Sequence, residues 1–170
     1  MIRLARPLAV ALAVLVFALP TGAQGVAETD RAYDVLFHEA MLERQKSHHD
    51  ATFDLLCRCI DLRPDASEAY FFRAQYYSEM QKADMAMADL QRADSLQPDN
   101  MTYMETLAQA YVQKGQYSDA VAVVERMYEA DKSRQELLQT LYQLYVQLKD
   151  YAKAVDVLDR MELIDGKSER

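Results

Sequence analysis

Small and large apolar residues recur about one helical turn apart along most of this chain, the spacing of an amphipathic helix. Ala86 precedes Leu90, Ala120 precedes Val124, and polar side chains fill the positions between them. Few glycine or proline residues interrupt these stretches, as a helical chain requires. The pattern predicts helices over residues 67–80, 83–96, 101–113, 117–130, 135–147 and 151–164.

The same pattern returns every 34 residues. Three residue types share this interval, which chance would rarely produce, and each unit contains two of the predicted helices. A single helix hairpin cannot bury its apolar face alone, so stacked hairpins must form a continuous core. The recurring residues are Ala86, Ala120 and Ala154, then Tyr77, Tyr111 and Tyr145, then Pro64 and Pro98.

These residues resemble the tetratricopeptide repeat (TPR) family, whose 34-residue unit has a Tyr in its first helix and an Ala and a closing Pro in its second. The resemblance implies an all-α fold: a right-handed superhelical solenoid of antiparallel helix pairs, with about four units and eight helices. Departures occur at Glu43, at Thr52 and at Arg73, which occupies a usually apolar position. The expected units are a degenerate one over 33–66, then 67–100, 101–134 and 135–168.

The N-terminus has the three parts of a secretory signal. Arg3 and Arg6 precede an apolar run of 12 residues from Leu8 to Leu19, which Pro20 ends. We therefore expect a signal peptide over 1–23 and a linker over 24–32, with export to a periplasmic or secreted location, most plausibly in a bacterial envelope. An uncleaved membrane anchor remains the alternative, and it would be the chain's one contact with a membrane.

Composition and motifs limit the classes of partner and activity that we expect. The net charge of −8 argues against a nucleic-acid partner, because phosphate contacts need clusters of Lys and Arg. Most acidic residues are expected on solvated helix faces. Cys57 and Cys59 lie two apart on a predicted helix, so we expect no bridge between them, and Cys59 should be the buried one. No catalytic, cofactor or metal motif is found, so we expect no enzyme activity and no cofactor.

In the TPR family the first helices line a concave groove that commonly binds peptides, so the resemblance implies a protein-interaction scaffold. Family members that grip a C-terminal carboxylate use Lys, Arg and Asn there, whereas Arg44 is the one cation among the positions expected here. A groove rich in Gln suits an extended or helical segment of a protein or peptide partner, although the many Gln residues are equally expected in solvated helices. The candidate groove residues are Phe37, Met41, Arg44, Phe71, Gln75, Glu79, Glu105, Gln109, Val112, Gln143 and Val146.

The last predicted helix is apolar on more than one face, which leaves a second hypothesis open. Solenoids usually end with a polar outer face, yet this helix carries Val155, Leu158 and Leu163. We therefore expect either a homodimer through helix 151–164 or a longer natural polypeptide. In that case the chain would be a sensory or structural segment of a larger assembly.

Overall fold

The computed structural model describes residues 21–168, and within that span it consists of eight α-helices without strands. Most of the expected signal peptide lies outside the described residues. The helices are α1 (Thr21–Gln45), α2 (His49–Leu62), α3 (Ser67–Glu79), α4 (Ala83–Leu96), α5 (Met101–Gln113), α6 (Tyr117–Ala130), α7 (Glu136–Gln147) and α8 (Tyr151–Ser168).

Each helix packs against the next one along the chain, from α1 against α2 to α7 against α8. The helices therefore form four antiparallel pairs that stack in sequence order, and the expected solenoid is confirmed. Buried side chains continue from pair to pair, with Leu56, Met104, Leu138 and Leu141 almost fully excluded from solvent. This arrangement is what the 34-residue period predicts, because each unit contributes one slice of a shared core.

The turn inside each pair has one residue in the left-handed backbone region. These residues are Ser47, Gln81, Gly115 and Lys149, with φ of 60°, 60°, 71° and 59°. They lie 34 residues apart, so the first, degenerate unit has the same turn geometry as the others. Glycine adopts this conformation without steric cost, whereas other residues do so at a cost.

We expect Gly115→Ala to lower the free energy of unfolding by about 1 kcal/mol, because an alanine is disfavoured at this φ. No atom lies within 4 Å of the Cβ that the change would add, so the backbone alone sets the effect. The matched change Gln81→Gly should raise the free energy of unfolding by about 0.5 kcal/mol. Urea unfolding followed by circular dichroism measures both, and a loss of stability in both variants would contradict this explanation.

The loops between units also share one conformation. Arg63, Gln97 and Asp131 are extended, with φ of −134°, −135° and −144°. A following proline favours this backbone at the first two, since the residue before Pro is pushed out of the helical region. The third loop lacks Pro, and there the Asp131 carboxylate accepts hydrogen bonds from the backbone N–H and the hydroxyl of Ser133. This local turn takes the place of the missing proline.

The region over 24–32, where a linker is expected, is helical and continuous with α1. The prediction of a linker is wrong because no helix-breaking Pro lies between this stretch and Tyr33. Two contacts are formed along this extension. The Thr29 hydroxyl donates to the Gly25 carbonyl within the helix, and the Asp30 carboxylate lies 3.8 Å from the Arg63 guanidinium. Residues 24–32 therefore lengthen the first helix of the solenoid.

Two acidic residues are buried, contrary to the expectation that acids lie on solvated faces. Asp89 and Asp94 are 6% and 7% exposed. Each accepts two hydrogen bonds from one guanidinium, Asp89 from Arg73 at 2.7 and 2.8 Å and Asp94 from Arg126 at 3.0 and 2.5 Å. The Arg73 pair lies between α3 and α4, so a charge at a usually apolar position is neutralised inside its own unit.

Both cysteines are free, which confirms the prediction that they form no bridge and that Cys59 is the buried one. Cys59 is fully buried, and burial raises the pKa of its thiol to about 11. Cys57 is half-buried, and its sulfur accepts a hydrogen bond from Arg73 at 3.7 Å. A buried thiol with a raised pKa is a structural residue and a poor nucleophile.

Candidate partner-binding groove

The first helices of the four units contact one another through their side chains. The Phe37 ring of α1 lies 6.0 Å from that of Phe72 in α3. Further along, Glu105 of α5 accepts a hydrogen bond at 2.6 Å from Arg134, just before α7. Helices α1, α3, α5 and α7 therefore form one continuous wall, which we call the first-helix face. The second helices form the opposite wall, where Arg126 of α6 reaches Asp94 of α4.

A compact cluster of aromatic and polar side chains lies where α1 meets α3. The Arg44 guanidinium is 4.7 Å from the centre of the Phe72 ring and donates to the Gln75 side chain at 2.8 Å. Phe37 and Met41 complete the cluster, and both are half-buried. This cluster offers an apolar surface with an amide and a guanidinium at its edge. We call these five residues the α1–α3 cluster.

Arg44 is therefore already engaged by its neighbours. Its charge lies over an aromatic ring and one of its N–H groups is bonded to Gln75. That this groove is a poor carboxylate clamp stays a prediction, which rests on Arg44 being the one cation among the candidate positions.

Most other candidate residues lie along the first-helix face but apart from the α1–α3 cluster. Gln109, Val112 and Gln143 are exposed on α5 and α7. The Glu79 carboxylate lies 3.0 Å from Nδ1 of His49. The remaining two are Glu105, which is paired with Arg134 as described, and Val146, which is half-buried against the core.

The prediction of Phe71 as a groove residue is wrong. Phe71 is only 8% exposed, and its ring stacks on Tyr103 with 4.8 Å between their centres. The helical register turns it into the interface between the second and third units, where it joins the core. The groove position belongs to its neighbour Phe72, which sequence reasoning missed. A Phe-Phe pair on a helix puts its two rings about 100° apart, so only one of them can face the groove.

Aromatic contacts extend this side of the solenoid beyond the α1–α3 cluster. Tyr33 stacks on Phe37 at 5.7 Å, and Phe72 meets Phe71 edge-on at 5.6 Å. Tyr33 also donates its hydroxyl hydrogen to Glu68 at 2.8 Å, and burial raises the pKa of this tyrosine. Tyr33 and Phe71 are buried and support the half-buried rings of Phe37 and Phe72. Rings supported in this way are pre-organised, which lowers the entropy cost of binding.

Within residues 21–168, no group of three His, Cys, Asp or Glu side chains is arranged to hold a metal ion. Across the same residues, no helix combines the length and apolarity needed to cross a bilayer. The histidines next to the first turn are instead bonded to carboxylates: His48 contacts Glu43 at 2.5 Å and His49 contacts Glu79. Hydrogen bonds from Lys46 and His48 lower the pKa of Glu43.

Two family comparisons match the sequence, and both are described as tetratricopeptide repeat. One covers residues 67–100 and the other covers residues 111–170, so together they span more than half of the chain. The chain belongs to the TPR family. The helix pairs and the turns described above are therefore TPR units, and the first-helix face corresponds to the groove of that family.

Solved structures share the TPR architecture at low identity. MamA AMB-1 matches with a TM-score of 0.65 and 18% identity, over 85% of this chain and 82% of that one. MamA MSR-1 matches with a TM-score of 0.60 and 19% identity, over 80% and 78%. An O-GlcNAc transferase from Thermobaculum terrenum matches with a TM-score of 0.55 and 20% identity, over 69% of this chain and 22% of that enzyme.

These similarities describe the fold and not a partner. Altogether 234 chains match at a comparable level, which is expected of a repeat used with many functions. No curated protein matches the sequence.

Proposed function

We propose that this TPR protein is an exported scaffold that holds a protein or peptide partner on its first-helix face and performs no catalysis. Membership of the TPR family supports a protein-interaction role. The observation that carries the finer proposal is the α1–α3 cluster, where half-buried aromatic rings lie beside an amide and a guanidinium. Aromatic and Arg side chains of this kind are typical of binding hot spots.

The chemistry of this face favours a neutral, partly apolar segment. Glu105 is paired with Arg134, and Arg44 bonds to the neutral side chain of Gln75. Few charges on this face are therefore left to select a charged peptide, so a neutral segment is favoured. An extended or helical segment can instead place apolar side chains on Phe37 and Phe72, and the exposed Gln109 and Gln143 can bond to its backbone.

Capture from envelope extract tests the groove. We expect Phe37→Ala to weaken retention of the partner about tenfold, because truncation of an aromatic anchor costs roughly 1–2 kcal/mol or more of binding free energy. Gln109→Ala should weaken it less. The matched control is Met85→Ala, an exposed apolar residue on the second helix of its unit. Thermal unfolding of each variant confirms that it is folded.

Equal retention by the wild type, Phe37→Ala and Gln109→Ala would place the partner elsewhere. A loss that Met85→Ala shares would show that binding is not confined to the first-helix face.

Export is the second part of the proposal, and the sequence of residues 1–23 supports it. Expression of the full chain in a bacterium, followed by separation of periplasm from cytoplasm, tests it directly. We expect the protein in the periplasm, with mass spectrometry showing a new N-terminus near residue 24. A full-length protein in the cytoplasm would contradict export, and a full-length protein in the membrane would indicate an uncleaved anchor.

A further inference from the structure

The helix α8 presents an apolar stripe to solvent. Tyr151, Val155 and Leu158 are 63%, 55% and 43% exposed. Their spacing of four and three residues places them on one side of the helix. We call these three residues the α8 stripe.

The α8 stripe is half of an interface that the chain forms between its units. The residues 34 positions earlier are Tyr117, Val121 and Val124, which are half-buried or buried. They belong to α6, which packs against α7, the first helix of the next unit. The stripe therefore has the composition of a surface that a following helix covers, and this pairing recurs where α2 meets α3 and α4 meets α5.

A pocket of about 160 Å³ extends the α8 stripe at the same end of the solenoid. Leu138, Met161 and Ile164 form its apolar side, and Gln135, Glu136 and Gln139 form its polar side. Gln139 occupies the position of Phe71 two units earlier, on which the ring of Tyr103 from the following unit stacks. The pocket thus lies where the start of a following first helix would insert a side chain.

The interfaces between units also share a polar contact, and α8 carries the second-helix residue of that contact. Glu125 accepts a hydrogen bond from the Tyr145 hydroxyl of the next first helix at 3.4 Å, and Gln91 donates to the Tyr111 hydroxyl at 2.9 Å. The equivalent residue on α8 is Asp159, whose side chain is exposed. Asp159 can only accept when ionised, so a matching helix must bring a donor.

We propose that α8 is a second docking surface, separate from the first-helix face, for one amphipathic helix of a partner protein. The helix runs antiparallel to α8 and carries large apolar residues at positions i, i+4 and i+7, followed by a Tyr, Arg or Lys at i+8. This spacing is that of Leu137, Leu141, Leu144 and Tyr145, which are buried on α7, the helix that packs against α6. The first apolar residue enters the pocket, the others cover the stripe, and the donor bonds to Asp159.

A second copy of this chain that presents its first helix α1 fits the α8 surface poorly. Val35 and Leu42 match two of the apolar positions, but Glu39 and Glu43 occupy those of Leu141 and Tyr145. Those carboxylates would face Leu158 and Asp159, and a charge against an apolar residue or a like charge is unfavourable. The charge pattern therefore selects a partner helix that carries a donor.

A peptide of residues 133–150 is the probe, because it contains the helix that covers α6 in this fold. The labelled peptide, held helical by a side-chain bridge on its polar side, is titrated by fluorescence anisotropy into the protein as cells produce it. We expect Val155→Asp to weaken binding at least about tenfold, since it places a charge in the stripe. The matched control Leu163→Asp, equally exposed on α8 but off the stripe, should change it by less than about twofold.

A charge exchange makes the test specific. The peptide with Tyr145→Arg should bind about fivefold more tightly than the peptide with Tyr145→Glu. In the protein variant Asp159→Lys this order should reverse. Absence of binding to the wild type, or an unchanged order in Asp159→Lys, would overturn the proposal. Self-association of the wild type in sedimentation that Val155→Asp abolishes would also overturn it, in favour of a second copy. The variant Phe37→Ala should bind the peptide normally, so that failure of the groove proposal remains distinguishable.

Discussion

Replacing Asp89 by Ala is expected to lower the free energy of unfolding by about 3–5 kcal/mol, the cost of leaving one partner of a buried ion pair uncompensated. The Arg73 guanidinium is mostly buried, with 17% of its side chain exposed, and both of its hydrogen bonds to a carboxylate go to Asp89. In the wild type the bond to Asp89 raises the pKa of Arg73. Without Asp89 the arginine still keeps its proton, because a guanidinium is not deprotonated in proteins, so its charge would be left uncompensated. Urea unfolding followed by circular dichroism measures the change.

The double variant Arg73→Leu, Asp89→Leu is the control for this prediction. It removes both charges together and restores the apolar residue that is usual for the family at position 73. We expect it to be within about 1–2 kcal/mol of the wild type, because apolar replacement of a buried pair is often neutral or stabilising. If the double variant were as unstable as Asp89→Ala, then packing rather than charge would explain the loss.

The fold could be read from the sequence because the period is carried by residues with separate physical roles. Ala120 allows close helix packing, Gly115 supplies a left-handed turn, and Pro98 ends a unit. These signals placed the six helices from residue 67 onward within one residue of their observed starts. The end of α8 was less predictable: the expected end was 164, and without a closing Pro the helix continues to Ser168.

The first unit and the buried charges could not be read in the same way. Ser47 occupies the left-handed turn position of its unit, yet nothing in a serine indicates that backbone conformation. The pairing of Arg73 with Asp89 links residues that are 16 apart on two helices. The spacing of residues within one helix does not predict such a contact. A usually apolar position that holds an arginine is itself the available signal, because a buried charge requires a partner.

The groove shows the same limit at the level of single side chains. Alignment of the 34-residue units assigns residues to helix faces. Which of Phe71 and Phe72 faces the groove depends on how α3 is rotated against its neighbours. Phe71 turns toward Tyr103 and Phe72 toward Phe37. The general location of a groove therefore follows from the repeat, while its contact residues require coordinates.

Replacing Phe71 by Ala is expected to lower the free energy of unfolding by about 3–5 kcal/mol, as for other large-to-small changes of buried aromatic residues. Phe71 is almost fully buried, and its ring stacks on Tyr103 between the second and third units. The cavity would open the contact through which α3 holds α5, so we expect the units to lose cooperativity as well as stability. Thermal and urea unfolding, monitored at two wavelengths, measure both effects.

Gln109→Ala is the matched control on the next first helix, because its exposed side chain should contribute less than about 0.5 kcal/mol to stability. A stable, cooperative Phe71→Ala protein with impaired partner binding would indicate that Phe71 is a groove residue and would contradict its place in the core. The expected opposite result explains why Phe71 is a poor probe of partner binding. Its loss would weaken every surface that depends on the register of α3 and α5. Phe37 is only half-buried, so thermal unfolding of Phe37→Ala can separate a loss of binding from a loss of stability.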